Sequence, residues 1–204
     1  MKKFLLRSIS NLFHPLLAMT WATVILITLT PFALFNLELR LILLGWVIAF
    51  TVLLPSFFIW VCSKLGIVKG GVALRDRRDR GIPLFLNALC NLFLCLSVHG
   101  MGLLGWMESL YCGGFVLTVI MFVVSLFWKI SAHAAGGGAI TTAAFTLHLV
   151  YPTLVPFALP IVSLLLSGFL CSIRLWLGRH TMAQVGAGTL VGIVCIVGAV
   201  TLWG

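Results

Sequence analysis

Long apolar runs separated by short polar breaks dominate the chain, and their length matches a bilayer. A spanning helix needs roughly 20 apolar residues. Seven runs approach that length: Phe13–Phe35, Leu39–Cys62, Pro83–Trp106, Leu110–Trp128, His133–Tyr151, Pro156–Trp176 and Met182–Trp203. The fifth, containing "HAAGGGAITTAAF", is the least hydrophobic, and its small residues suit a helix packed closely inside a bundle. Pro31 and Pro55 are expected to kink the first two spans. No Ser- or Pro-rich linker, low-complexity stretch or internal repeat divides the chain. The pattern predicts one all-α, polytopic membrane domain over residues 1–204, a bundle of about seven (six to seven) transmembrane helices.

Composition agrees. The 204 residues are 62% hydrophobic and 8% charged, where a soluble domain carries about 25% charged residues. "MKKFLLRSIS" resembles the start of a signal peptide, but no small-residue cleavage site follows, so it reads as an uncleaved cytoplasmic tail. The six cysteines (Cys62, Cys90, Cys95, Cys112, Cys171 and Cys195) lie in or beside apolar runs without a CxxC pair. They read as apolar packing residues, not disulfides or metal ligands.

The net charge of +9 changes the picture through its placement. Lys2, Lys3 and Arg7 precede the first run. Lys64, Lys69, Arg75, Arg77, Arg78 and Arg80 follow the second, Lys129 the fourth, and Arg174 and Arg179 the sixth. All fall on one membrane face, and only Arg40 falls on the other. By the positive-inside rule that face is cytoplasmic, with the bacterial inner membrane as the expected location. No basic arm with interleaved aromatics suggests nucleic-acid binding. Paired repeats with broken helices, the usual support for a solute transporter, are also lacking.

Three segments meet on the basic face: "VKGGVALRDRRDRGIP", "KISAHAAGGG" and "IRLWLGRHTMAQ". Singly, each has a plain reading as interfacial anchors, a positive-inside loop or helix-packing glycines. Jointly they offer arginines, which bind phosphoryl oxygens through paired donors, and glycine-rich helix starts. They also offer histidines, which serve as nucleophile or proton donor near neutral pH. His180 and Gln184 are one helical turn apart, so the glutamine can hold the imidazole.

The spacing Arg174–x5–His180–x3–Gln184, followed by "VGAGTLVG", resembles the last motif of the type 2 phosphatidic acid phosphatase family. Ser131-Ala132-His133 is similar to that family's Ser-Gly-His motif, and "RDRRDRGIP" sits where it carries Lys-x6-Arg-Pro. The resemblance covers roughly Lys69–Gly192, within a family-like core of about 64–204. Gln184 replaces the family's aspartate, Ala132 its glycine, and the first motif fits poorly, so a divergent branch is implied.

By position, the resemblance implies that His180 attacks phosphorus to form a phosphohistidine. His133 would protonate the leaving oxygen and then activate water, while Gln184 orients the nucleophile. Arg77, Arg80, Ser131 and Arg174 would hold the phosphoryl oxygens. The implied substrate is a lipid phosphate or isoprenoid (polyprenyl) pyrophosphate. No metal and no cofactor is implied: Glu38, Asp76, Asp79 and Glu108 are the only acids, and Asp76–Asp79 is weak as a prenyltransferase motif. The alternative is a non-catalytic member that binds or transports anionic phospholipid or lipid phosphate in the same basic pocket. His14, beside Pro15 at the start of the first run, is a possible supporting group, whereas His99 and His148 read as packing or helix-bonding residues.

Overall fold

The structure, a computed structural model, describes residues 2–67, 81–101 and 105–203, the side chains of 2–5 and 7 excepted. All regular structure among these residues is helical. The helices are α1 (Lys2–Leu12), α2 (Ala18–Leu29), α3 (Leu37–Ile48), α4 (Leu54–Lys64) and α5 (Gly81–Gly100). They continue with α6 (Gly105–Phe127), α7 (Ala132–Val150), α8 (Ala158–Trp176) and α9 (Met182–Trp203). Six segments are long and apolar enough to cross a membrane: Ser8–Leu29, Leu37–Lys64, α5, α6, α8 and α9.

The fifth apolar run forms α7, which is 19 residues long but not among those six. Its surroundings explain why. α7 packs against α2, α8 and α9, so it meets protein where the other helices meet lipid. Its three consecutive glycines serve three neighbours. A Cβ on Gly136 would lie 3.4 Å from Cβ of Ala18 on α2, one on Gly137 would collide with the Ser167 hydroxyl on α8, and one on Gly138 with the Thr189 backbone on α9. Small residues at helix contacts let backbones approach closely.

Of the two prolines, Pro31 stands outside the helix that it is expected to kink. α2 ends at Leu29, and Pro31 opens a separate 3₁₀ turn, Pro31–Leu34, whose Phe32 N–H donates to the Thr30 hydroxyl at 3.3 Å. Proline suits a first turn, where its missing N–H costs nothing. Pro55 follows a π-helical turn, Ala49–Leu53, that joins α3 to α4 in a 28-residue apolar run. Such a turn loosens the hydrogen-bond ladder where proline removes a donor.

The cysteines require a correction. Cys95 on α5 and Cys112 on α6 form a disulfide with Cα atoms 5.4 Å apart, a separation within the usual range for one. α5 and α6 run antiparallel, which sets residues 17 apart in sequence side by side without any local motif. Cys62, Cys90, Cys171 and Cys195 are free thiols. At the same hairpin end His99 pairs with Glu108 at 2.6 Å, and His148 bonds the Val155 carbonyl at 2.7 Å.

Candidate functional site

His180 stands between two helix-terminating devices. α8 stops in a Schellman motif: the Gly178 N–H donates to the Leu175 carbonyl at 2.9 Å and the Arg179 N–H to the Arg174 carbonyl at 3.1 Å. Gly178 has φ +63°, the left-handed conformation that closes this motif and favours glycine. α9 then begins with a reciprocal capping box. The Thr181 N–H donates to Gln184 Oε1 at 3.2 Å, and the Gln184 N–H to the Thr181 hydroxyl at 3.4 Å. Thr-x-x-Gln is one of the sequences that permits this exchange. The compact reversal brings the end of α8, with Arg174, close to His180.

The same glutamine oxygen also meets His180. Its Nδ1 lies 3.2 Å from Gln184 Oε1 and 3.3 Å from the Lys129 carbonyl oxygen. Because Oε1 already accepts the Thr181 N–H, the amide oxygen, not its nitrogen, faces the ring. Neither oxygen carries a proton, so Nδ1–H is the donor and the neutral ring keeps its lone pair on Nε2. Gln184 therefore supplies the orienting acceptor that an aspartate would, without the negative charge.

His133, the second residue of α7, lies opposite. Its Nε2 donates to the Ser10 carbonyl at 3.1 Å and is 3.2 Å from the Ser10 hydroxyl. Arg174 Nη1 donates to that hydroxyl, also at 3.2 Å. The His14 ring stands edge-on to His133, with centroids 5.7 Å apart. His14 Nδ1 accepts the Leu16 N–H at 3.3 Å, which leaves the proton of the neutral ring on Nε2.

His14, His133, Arg174 and His180 line the head of one cavity of about 230 Å³. It continues between helices past Met19, Leu26, Leu117, Met121 and Ala143. From His133 to Ala143 the wall of α7 runs about 15 Å at 1.5 Å per residue. The lining is therefore cationic and imidazole-rich at one end and largely apolar beyond.

Five of the residues singled out from sequence thus converge: His180, His133, Arg174 and His14 on the cavity, with Gln184 behind His180. Ser131 takes another place. It is fully buried, its hydroxyl accepts the Ala134 N–H at 3.4 Å as the N-cap of α7, and its own N–H donates to the Gln184 carbonyl at 3.2 Å. It ties the start of α7 to the start of α9. Arg77 and Arg80, with the rest of the basic loop, lie outside the described residues. Ser10, which no motif in the sequence marks, joins His133 and Arg174 from α1. Comparison with protein-family models, curated proteins and solved structures finds no match to the chain.

Proposed function

We propose that the chain is an integral membrane lipid phosphatase of the phosphatidic acid phosphatase type, acting on a lipid phosphate or polyprenyl pyrophosphate. One observation carries the reading. A histidine with its Nδ1 held by carbonyl oxygens shares one cavity head with a second histidine and an arginine, above an apolar interior. The carbonyl contacts keep a nucleophilic lone pair on His180 Nε2. Arg174 supplies charge for the phosphoryl oxygens, and the apolar walls suit a lipid leaving group.

In the first step His180 Nε2 bonds to phosphorus and the bond from phosphorus to the leaving oxygen breaks. Burial and then the Arg174 guanidinium disfavour the His133 imidazolium; a bound phosphate dianion opposes both, and Nε2 then passes a proton to the leaving oxygen. In the second step water attacks phosphorus, the P–N bond breaks, His133 takes the water proton, and inorganic phosphate departs. Charge spreads over the equatorial oxygens in both transition states, where Arg174, with Arg77 and Arg80 from the basic loop, acts.

The direct test is phosphate release by purified protein across lipid phosphates and pyrophosphates. Release from at least one class supports the reading. Binding of these lipids without release favours a non-catalytic carrier. Gln184 provides a sharper test. Gln184→Asp keeps an acceptor for Nδ1 and adds a charge that favours the imidazolium, so activity is expected to be preserved or to rise. Gln184→Ala removes one of the two acceptors for Nδ1 and one side of the capping box, so kcat should fall by about 10-fold or more, on the scale of one lost hydrogen bond to a developing charge. Equal activities in all three proteins would remove Gln184 from the mechanism.

The basic charges favour a site on the cytoplasmic face, and the disulfide supports this from the opposite direction. Cys95 and Cys112 lie five and seven residues from the α5–α6 hairpin end, on the face away from the site, and disulfides persist in oxidising compartments. With the native cysteines replaced, Lys64→Cys should resist a membrane-impermeant thiol reagent on intact cells, and Gly204→Cys should react. The reverse pattern would invert the orientation.

A further inference from the structure

We infer that the amino-terminal helix is a latch that closes the cavity head through Ser10, and that an anionic membrane surface releases it. The inference rests on the proposed phosphatase reading for what the latch blocks, while the contacts stand independently of it. Ser10 is 3% exposed, although it sits in a helix that carries three basic residues, Lys2, Lys3 and Arg7. Its two oxygens occupy the two polar groups that matter most. The hydroxyl takes the Arg174 Nη1 donor at 3.2 Å, where a phosphoryl oxygen would bind. The carbonyl takes the His133 Nε2 proton at 3.1 Å, which is the proton destined for the leaving oxygen. One residue thus takes a donor from each group where a substrate phosphoester would, and a substrate that uses those two donors must displace Ser10.

The chain around Ser10 is built to allow that withdrawal. α1 ends at Leu12 and α2 begins at Ala18. Between them His14 is extended, with φ −62° and ψ 142°, ahead of the short turn Pro15–Leu17. A few non-helical residues at an element boundary can absorb the angle change of a swing. Among the described residues α1 packs on the bundle chiefly along α8. Its sequence, "KKFLLRSISNL", carries Lys2, Lys3 and Arg7 with Phe4, Leu5, Ile9 and Leu12. Basic amphipathic helices of this kind bind in the plane of an anionic interface. The competing state is therefore a helix lying on acidic headgroups, with Ser10 drawn out of the site.

The test uses the full chain in vesicles of phosphatidylcholine alone and of phosphatidylcholine mixed with phosphatidylglycerol. Spin labels on Asn11→Cys and Met182→Cys, with the native cysteines replaced, report the separation of α1 from the start of α9. A short distance in the neutral vesicles and a longer population in the anionic ones is expected. Phosphate release should rise severalfold with phosphatidylglycerol. In neutral vesicles Ser10→Ala should already release phosphate severalfold faster than the native chain and respond less to the anionic lipid. A distance independent of lipid would overturn the latch. So would a Ser10→Ala protein that turns over more slowly, which would make Ser10 a phosphate-positioning group. If no lipid phosphate is hydrolysed under any condition, the phosphatase reading fails, yet the distance measurement still decides the latch.

Discussion

Phosphate release is expected to fall to background in His180→Ala, the largest loss any single substitution in this site should produce. In the proposed two-step route the loss of the nucleophile closes the path, since His180 is the ring whose Nδ1 is held by two carbonyl oxygens, Gln184 Oε1 and the Lys129 oxygen. His133→Ala should behave differently. It removes the proton donor of the first step and the base of the second, each worth roughly 10²–10⁴-fold. A leaving group that needs no proton, such as a nitrophenolate, should bypass the first requirement and let phosphoenzyme accumulate. Steady-state release with a lipid phosphate and with a nitrophenyl phosphate ester separates the two roles. Full activity in His180→Ala would place the nucleophile elsewhere.

Gly192→Val should be the most damaging substitution away from the reacting groups. A Cβ at Gly192 would collide with the Ala135 carbonyl, and one at neighbouring Gly188 would lie 2.6 Å from the Ser131 carbonyl oxygen. Both contacts are with α7 backbone, which cannot step aside as a side-chain tip can. The valine must therefore push α9 from α7, separating the Ser131–Gln184 tie and the Lys129 carbonyl from His180. Overpacking of this kind costs about 1–3 kcal/mol and occasionally more. Gly198→Ala on the same helix is the control, because nothing lies within 4 Å of its Cβ position. Thermal unfolding in detergent should show a clear drop for Gly192→Val and little change for Gly198→Ala. Equal effects would refute the close α7–α9 contact as the reason for glycine at 192.

The fates of particular residues show what a single sequence can express. Bilayer-length apolar runs are a strong local signal, and they return as the six helices long and apolar enough to cross a membrane. α7 is weaker in hydropathy because neighbouring helices shield it, and its triple glycine already marked a closely packed helix. His180 and Gln184 were legible because one helical turn relates them. The Thr181-x-x-Gln184 capping box was equally local but lay hidden behind the catalytic reading of the glutamine. Ser131 shows the opposite hazard: a serine just before a helix caps it more simply than it binds phosphate. Contacts made through the fold left no trace in sequence. Ser10 meets His133 across 123 positions and Arg174 across 164, and Cys95 meets Cys112 only because a hairpin aligns them.

Trapping a covalent bond between phosphorus and His180 Nε2 is the most direct test of the proposed phosphatase route. Purified His133→Ala protein would be mixed with a lipid phosphate labelled in its phosphoryl group, quenched in alkali, and digested for mass spectrometry. Phosphohistidine survives alkali and is lost in acid, which distinguishes it from phosphoserine. Acid-labile phosphate is expected on the peptide that contains His180, and none after the further change His180→Ala. Phosphate on another residue, or turnover of the native chain with no phosphoprotein in either background, would contradict it.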